Sequence, residues 1–301
     1  MKVTYNSLVN TVSNSIQANL KKLQDFQQKL SSGKNINMVS DDPINVAQLN
    51  ILKTKKNQNE QYIKNIDKSL AWLDSTENNL SEISNTLVSL REVCIQAGDG
   101  TLNQDGLNSL LLQVKQLKSK MLNDANSQYL DNYIFAGLKT TQKPFEEVND
   151  IVVYNGDNGS MLRNLSYDSN IEINIDGKRV FNFDNEVSND PNVFQIINNL
   201  EQALKNGDVN KISSEILSQI DRANTNVFNL ISEVGSKVNR LELTKTQLEN
   251  DNLNITKSVS TIEDVDITDL IMKLKEAEMV YSTSLSVAGR VLPPSLLDFL
   301  K

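Results

Sequence analysis

The chain has 301 residues and a formal net charge of −8, and an acidic surface that repels phosphate excludes nucleic acid as an expected partner. It contains no histidine and a single cysteine, Cys94, which removes the commonest general base, the commonest zinc ligand, Ser–His and Cys–His nucleophiles, and any intramolecular disulfide. Aromatics make up 5%, glycine (11) and proline (5) are scarce, and no apolar run reaches the length of a secretory leader or a membrane span.

Heptad spacing dominates the N-terminal region. Val9, Ile16, Leu23 and Leu30 recur every seven residues, with Tyr5, Val12 and Phe26 in the companion row, while Asn, Gln, Ser and Lys fill the opposite face. The stretch 30–43, LSSGKNINMVSDDP, interrupts this helix. A second helix is predicted to start at Pro43, with Asp42 accepting the free N–H groups of its first turn. It is predicted to continue to about Ala97, with Ile66, Leu73, Leu80, Leu87 and Cys94 seven apart and Ile83, Leu90 and Ala97 beside them. About 55 residues of helix extend roughly 80 Å, beyond an ordinary globular helix.

GDGT at 98–101 ends that element, and a third helix (Leu107, Leu110, Val114, Leu117, Met121) is predicted to run to about Tyr133. The chain then alternates as strands do, in IVVYNGDNGSML and IEINIDGKRVFNF, with turn signals at Asn155-Gly156, Asn158-Gly159 and Asp176-Gly177. A short helix, VFQIINNLEQALKNG, ends at Gly207. A long helix is expected from about Asp208, with Ile220, Val227, Val234, Leu241, Leu248 and Ile255 in strict sevens. The last helix carries Ile267, Leu270, Leu274, Ala277, Tyr281, Leu285 and Ala288, and ends against Pro293-Pro294.

The candidates for chemistry have simpler structural explanations. Asp41 and Asp42 could form a carboxylate dyad or a cation site, but the adjacent Pro43 favours capping. Glu263, Asp264, Asp266 and Asp269 lack the glycine and ligand spacing of a calcium loop, and negative charge is favourable at a helix start. NGDNG at 155–159 lacks the Gly-Lys-Ser/Thr ending of a phosphate loop and is expected as a hairpin turn, and SSGK at 31–34 lacks the same spacing. Cys94 lies on an apolar seam as a small core residue. No catalytic, cofactor or metal residue is assigned, and no cofactor is expected.

The two ends carry specific motifs. LSSGKNINMVSDDPINVAQ resembles the N-terminal signature of the bacterial flagellin superfamily, with its Leu-Ser-Ser-Gly turn and Asp-Asp-Pro helix start. Gly235, Asn239-Arg240-Leu241-Glu242, the Ser260–Asp266 junction and the closing SLLDFL resemble its C-terminal signature. In the middle, YIFAGLKTTQKPF at 133–145 is similar to the hook–filament junction branch of that superfamily rather than to its filament branch. Pro293-Pro294 departs from the pattern, because proline breaks the helix before SLLDFL.

The resemblance implies a mainly α fold with a β-rich insert: an elongated flagellin-like helical bundle, the N- and C-terminal helices paired as a coiled coil and a small β domain inserted in the middle. Three parts are expected: terminal assembly helices (1–38 and 262–301), a long-helix shaft (39–140 and 208–261) and an outer β-rich insert (141–207). The expected assembly interface comprises Tyr5, Val9, Val12, Ile16, Leu23, Phe26, Leu30, Leu270, Leu274, Ala277, Tyr281, Leu285 and Ala288, with Gly33, Asp41, Asp42 and Pro43 as helix cap and hinge. Implied partners are flagellin, the first hook-associated protein, other copies of the chain in a ring, and a cytoplasmic type III export chaperone, with neither nucleic acid nor membrane. Implied localisation is extracellular, at the flagellar hook–filament junction, and cytoplasmic before export. The alternatives are a filament subunit of unlimited polymerisation, a secreted effector or adhesin on a flagellin-like frame, and an enzyme, for which no polar constellation is visible in the insert.

Overall fold

A computed structural model describes residues 3–100, 102–166, 168–183 and 191–291. The chain is mostly helical, with a few short strand pairs in the middle. Its elements are α1 (Val3–Ser32), α2 (Pro43–Gly98), α3 (Gln104–Ala125), β1 (Gln128–Tyr129), β2 (Asn132–Tyr133), β3 (Phe145–Val148), β4 (Ile151–Tyr154), β5 (Leu162–Asn164), β6 (Asn170–Glu172), α4 (Gly177–Phe181), α5 (Val193–Asn206), α6 (Val209–Lys211), α7 (Leu217–Glu263) and α8 (Ile267–Val291). A π-helical turn, Ile212–Ile216, leads into α7. The chain folds as two compact units, Met1–Gln58 with Asn250–Lys301, and Asn59–Glu249.

In the larger unit the predicted heptad rows are the core. Ile66, Leu73, Leu80, Leu87 and Cys94 of α2 are all buried, as are Val114 and Met121 of α3 and Ile220, Val227, Val234 and Leu241 of α7. Burial pushes the Cys94 thiol up to about 12, so it stays protonated and inert. One polar pair crosses the seam, where the Ser84 hydroxyl lies 2.8 Å from Asn224 Oδ1.

The strands form three separate antiparallel pairs, β1–β2, β3–β4 and β5–β6. Their aromatic residues join the helical core: Phe145 packs against Phe181, Phe183, Phe194 and Tyr154, all within the buried cluster that contains Leu73 and Leu87 or packed against it. The strand pairs and the long helices of this unit thus share one buried cluster, and the boundaries between the two compact units lie inside α2 and α7.

Local differences from the sequence reading have physical causes. The third helix stops at Ala125, not near Tyr133, because Leu130 and Asp131 (φ 48° and 63°) make a tight turn between β1 and β2. The β3–β4 turn is Asn149-Asp150 (φ 53° and 64°), and the Asn-Gly pairs at 155–159 do not join paired strands. That segment instead folds back on Gly137 (φ 70°): Asp157 Oδ1 accepts the Leu138 N–H at 2.7 Å and the Gly159 N–H at 3.0 Å. Asp176 is not a hairpin residue but the N-cap of α4, accepting the Arg179 N–H at 2.9 Å. α5 starts with a capping box between Asn192 and Gln195 and ends at left-handed Gly207, as its sequence requires. α8 is described to Val291, and Pro293, Pro294 and the SLLDFL segment lie outside the described residues.

Candidate assembly site

The smaller unit contains the expected interface residues. α1 and α8 pack antiparallel along much of their length. Val9, Val12, Ile16, Leu23, Phe26 and Leu30 of α1 are half-buried; Leu270, Leu274 and Ala288 of α8 are buried, and Ala277 and Tyr281 half-buried. Tyr5 belongs to the backbone of α1, and its side chain lies outside the described residues.

Leu285 departs from the expected row. It is 46% exposed, because the inward position at that level belongs to Ser284. Ser284 Oγ accepts a hydrogen bond from Asn19 Nδ2 at 2.9 Å. Asn19 fills the position missing between Val12 and Phe26 in the companion row, a gap that the sequence reading passed over.

One helix pair covers only one stripe of each helix. Met279 (68% exposed), Met272, Val280, Leu285 and Val287 of α8 remain outward. A groove of about 360 Å³ runs between the helices, lined among others by Val12, Ile16, Met279 and Val287. An apolar surface of this kind is what a neighbouring helix would cover.

The base of the pair is fixed by a short β-like contact. Gly33, with φ 69°, follows α1 and turns the chain in the left-handed region that favours glycine. Its carbonyl accepts the Val265 N–H at 3.2 Å, and the Asn35 N–H donates to the Glu263 carbonyl at 2.7 Å, around an antiparallel bridge between Lys34 and Asp264. Two ammonium groups meet one carboxylate here: Lys34 Nζ is 2.6 Å and Lys53 Nζ 2.7 Å from opposite oxygens of Glu263, whose side chain is 9% exposed. The Lys34 bond, then the Lys53 bond, holds the Glu263 carboxyl below the usual range, and the same bond raises Lys34.

The two aspartates before α2 have different partners. Asp42 Oδ1 accepts the Asn45 N–H at 3.0 Å and Oδ2 accepts the Asn45 side-chain amide at 2.7 Å, with Pro43 as the first residue of α2. Asp41 caps no helix; its Oδ2 accepts the Met38 and Asn37 N–H groups at 2.8 and 3.0 Å. Those N–H groups hold the Asp41 carboxyl below its ordinary range.

The second acidic cluster is similarly engaged. Asp264 accepts from the Ser260 hydroxyl, Asp266 caps α8 by accepting the Thr268 and Asp269 N–H groups at 2.9 and 3.2 Å, and Asp269 pairs with Lys273 at 2.6 Å. Among the described residues, no group of three or more His, Cys, Asp and Glu side chains is placed to hold a metal ion, and no helix is long and apolar enough to cross a membrane.

Paired terminal helices joined through a Gly33 turn to long helices define a class of protein. The bacterial flagellin N-terminal helical region matches residues 3–140 and the bacterial flagellin C-terminal helical region matches 217–300, together well over half of the sequence; the chain belongs to the flagellin family. Within it, the chain is 26% identical over 288 residues to flagellar hook-associated protein 3 of Escherichia coli K12, covering 88% of this chain and 90% of that one. It also matches the flagellar filament 41 kDa core protein of Borreliella burgdorferi, 23% identical with both chains covered in full. The crystal structure of the flagellar junction protein FlgL from Legionella pneumophila superimposes with a TM-score of 0.62 at 18% identity, over 72% of this chain and all of that one. These relatives are structural components of the flagellum.

Proposed function

We propose that the chain is the subunit of the hook–filament junction, a structural component that links the hook, through the first hook-associated protein, to the flagellin filament. The observation that carries this reading is the match to hook-associated protein 3 across nearly the whole of both chains, whereas the match to the flagellin of Escherichia coli O127:H6 covers 38% of this chain and 21% of that one. In mechanism, α1 and α8 act as one assembly element. Their outward apolar residues, Met279, Val280, Leu285 and Val287, are buried by neighbouring subunits in a ring, and this burial supplies the association energy. The Gly33–Asp42 segment serves as cap and hinge at the base of that element. The chain leaves the cytoplasm unfolded through the flagellar type III apparatus, with a dedicated chaperone, and functions outside the cell without catalysis.

Deletion tests the reading. Cells lacking the protein should complete hooks, fail to grow filaments and release flagellin monomers into the medium; filaments on such hooks would refute it. The full-length match to a filament core protein favours one second reading, a filament subunit. In that case the purified chain would polymerise into long filaments by itself.

A further inference from the structure

The seam between α1 and α8 contains one polar position on each helix within the rows that face each other. On α1 the inward rows are Val9, Val12, Ile16, Leu23, Phe26 and Leu30, with Asn19 at the remaining position. On α8 they are Leu270, Leu274, Ala277, Tyr281 and Ala288, with Ser284 at the remaining one. The two interruptions meet, Asn19 Nδ2 donating to Ser284 Oγ at 2.9 Å. Ser284 keeps its own proton occupied by donating to the Val280 carbonyl at 2.7 Å, which leaves its lone pairs turned to Asn19.

We propose that Asn19 and Ser284 select the register of the α1–α8 pair. A heptad repeat is satisfied by several alignments seven residues apart, since apolar residues then still face apolar residues. Sliding α8 by one heptad would set Asn19 against Ala277 and Ser284 against Val12, or, in the other direction, Ser284 against Phe26, leaving a half-buried amide without its partner. The polar pair sacrifices some stability relative to an all-apolar seam and in return makes one alignment distinct, as a single buried asparagine does in coiled coils. Side-chain size acts in the same sense: Phe26 and Ala277 line one groove, so a large aromatic ring on α1 lies beside one of the smallest residues on α8. Register matters because it decides which outward side chains of the two helices stand level, and so which composite surface a neighbour meets.

The test is a distance measurement between spin labels in the full chain, placed by Gln27→Cys and Ser286→Cys at two exposed positions on α1 and α8. The parent should give one narrow distance. Asn19→Leu, which makes the α1 seam wholly apolar, should add a population displaced by about 10 Å, the length of one heptad at 1.5 Å per residue. Ser284→Leu should do the same, and the exchange Asn19→Ser with Ser284→Asn should restore the single distance. An unchanged single distance in Asn19→Leu would assign register to the backbone bridge at Gly33 and Val265 and overturn the proposal. A broad distance in the parent, or loss of helix instead of a displaced population in both leucine variants, would overturn it as well.

Discussion

The Lys34 ammonium lies 2.6 Å from the Glu263 carboxylate and thereby ties the turn after α1 to the last residue of α7. Lys53, from α2, closes on the other oxygen of the same carboxylate. The two lysines are about half exposed and Glu263 is not, so the partners are unequal. Removing either lysine leaves the carboxylate one partner, whereas removing the carboxylate leaves two cations that water can still reach. Glu263→Ala is expected to cost about 1 to 2 kcal/mol, below the range for a fully buried pair, and Lys34→Ala about 1 kcal/mol or less. Faster hydrogen exchange at the Asn35 and Val265 N–H groups, which bracket the bridge, would report the loosening.

The same contact sets a pH dependence. Glu263 titrates below the ordinary glutamate value (about 4.3) because both lysines stabilise its anion. Its contribution is therefore complete above that ordinary value and is lost as pH falls through the lowered folded one. Lys34, shifted upward by the same bond, contributes fully below the ordinary lysine value and loses it as pH rises through its raised folded one. Thermal melts of the parent and of Glu263→Gln should differ near neutral pH and converge in acid; a gap that persists at pH 2 would assign the effect to packing.

Asp42→Ala should free the Asn45 N–H and destabilise the first turn of α2 by about 1 kcal/mol. Asp41→Ala should leave that turn intact and loosen Asn37 and Met38 instead. Amide exchange read residue by residue separates the two outcomes.

Gly33 and Gly137 are both left-handed, but their surroundings differ. An added Cβ at Gly33 meets nothing within 4 Å, so Gly33→Ala should cost only the backbone term, about 1 kcal/mol, and Gly33→Asn less. At Gly137 the same atom would stand 2.2 Å from the Asp157 carbonyl oxygen and from Asp157 Oδ1. Gly137→Ala should therefore cost about 3 kcal/mol and displace the 155–159 loop, seen as a lowered denaturation midpoint of the larger unit.

Helix content and core were legible because a seven-residue repeat survives over many turns: every one of Ile66, Leu73, Leu80, Leu87 and Cys94 is buried. Helix ends were legible where a short polar side chain precedes a proline, as at Asp42, or a glycine follows the apolar run, as at Gly207, while the Asn192 capping box went unread. The turns were harder to read. Asn149-Asp150 and Leu130-Asp131 adopt the double left-handed turn without glycine, while the Asn-Gly pairs serve loop packing. On α8, the outward position of Leu285 was not legible, because its apolar character hides a one-residue phase difference from Ser284. Asn19 and Lys53 escaped notice because their roles depend on residues more than 200 positions away, which local pattern cannot reveal.

Cys94 has a practical consequence. In the folded chain its thiol is wholly enclosed and pushed up to about 12, so alkylating reagents at neutral pH find almost no thiolate there. In an unfolded chain the same group returns to water and to ordinary reactivity. The protein thus carries one chemical clock in its own sequence: the rate at which Cys94 is alkylated counts the openings of the larger unit, and in a cell it would distinguish chains that have folded from those still held open.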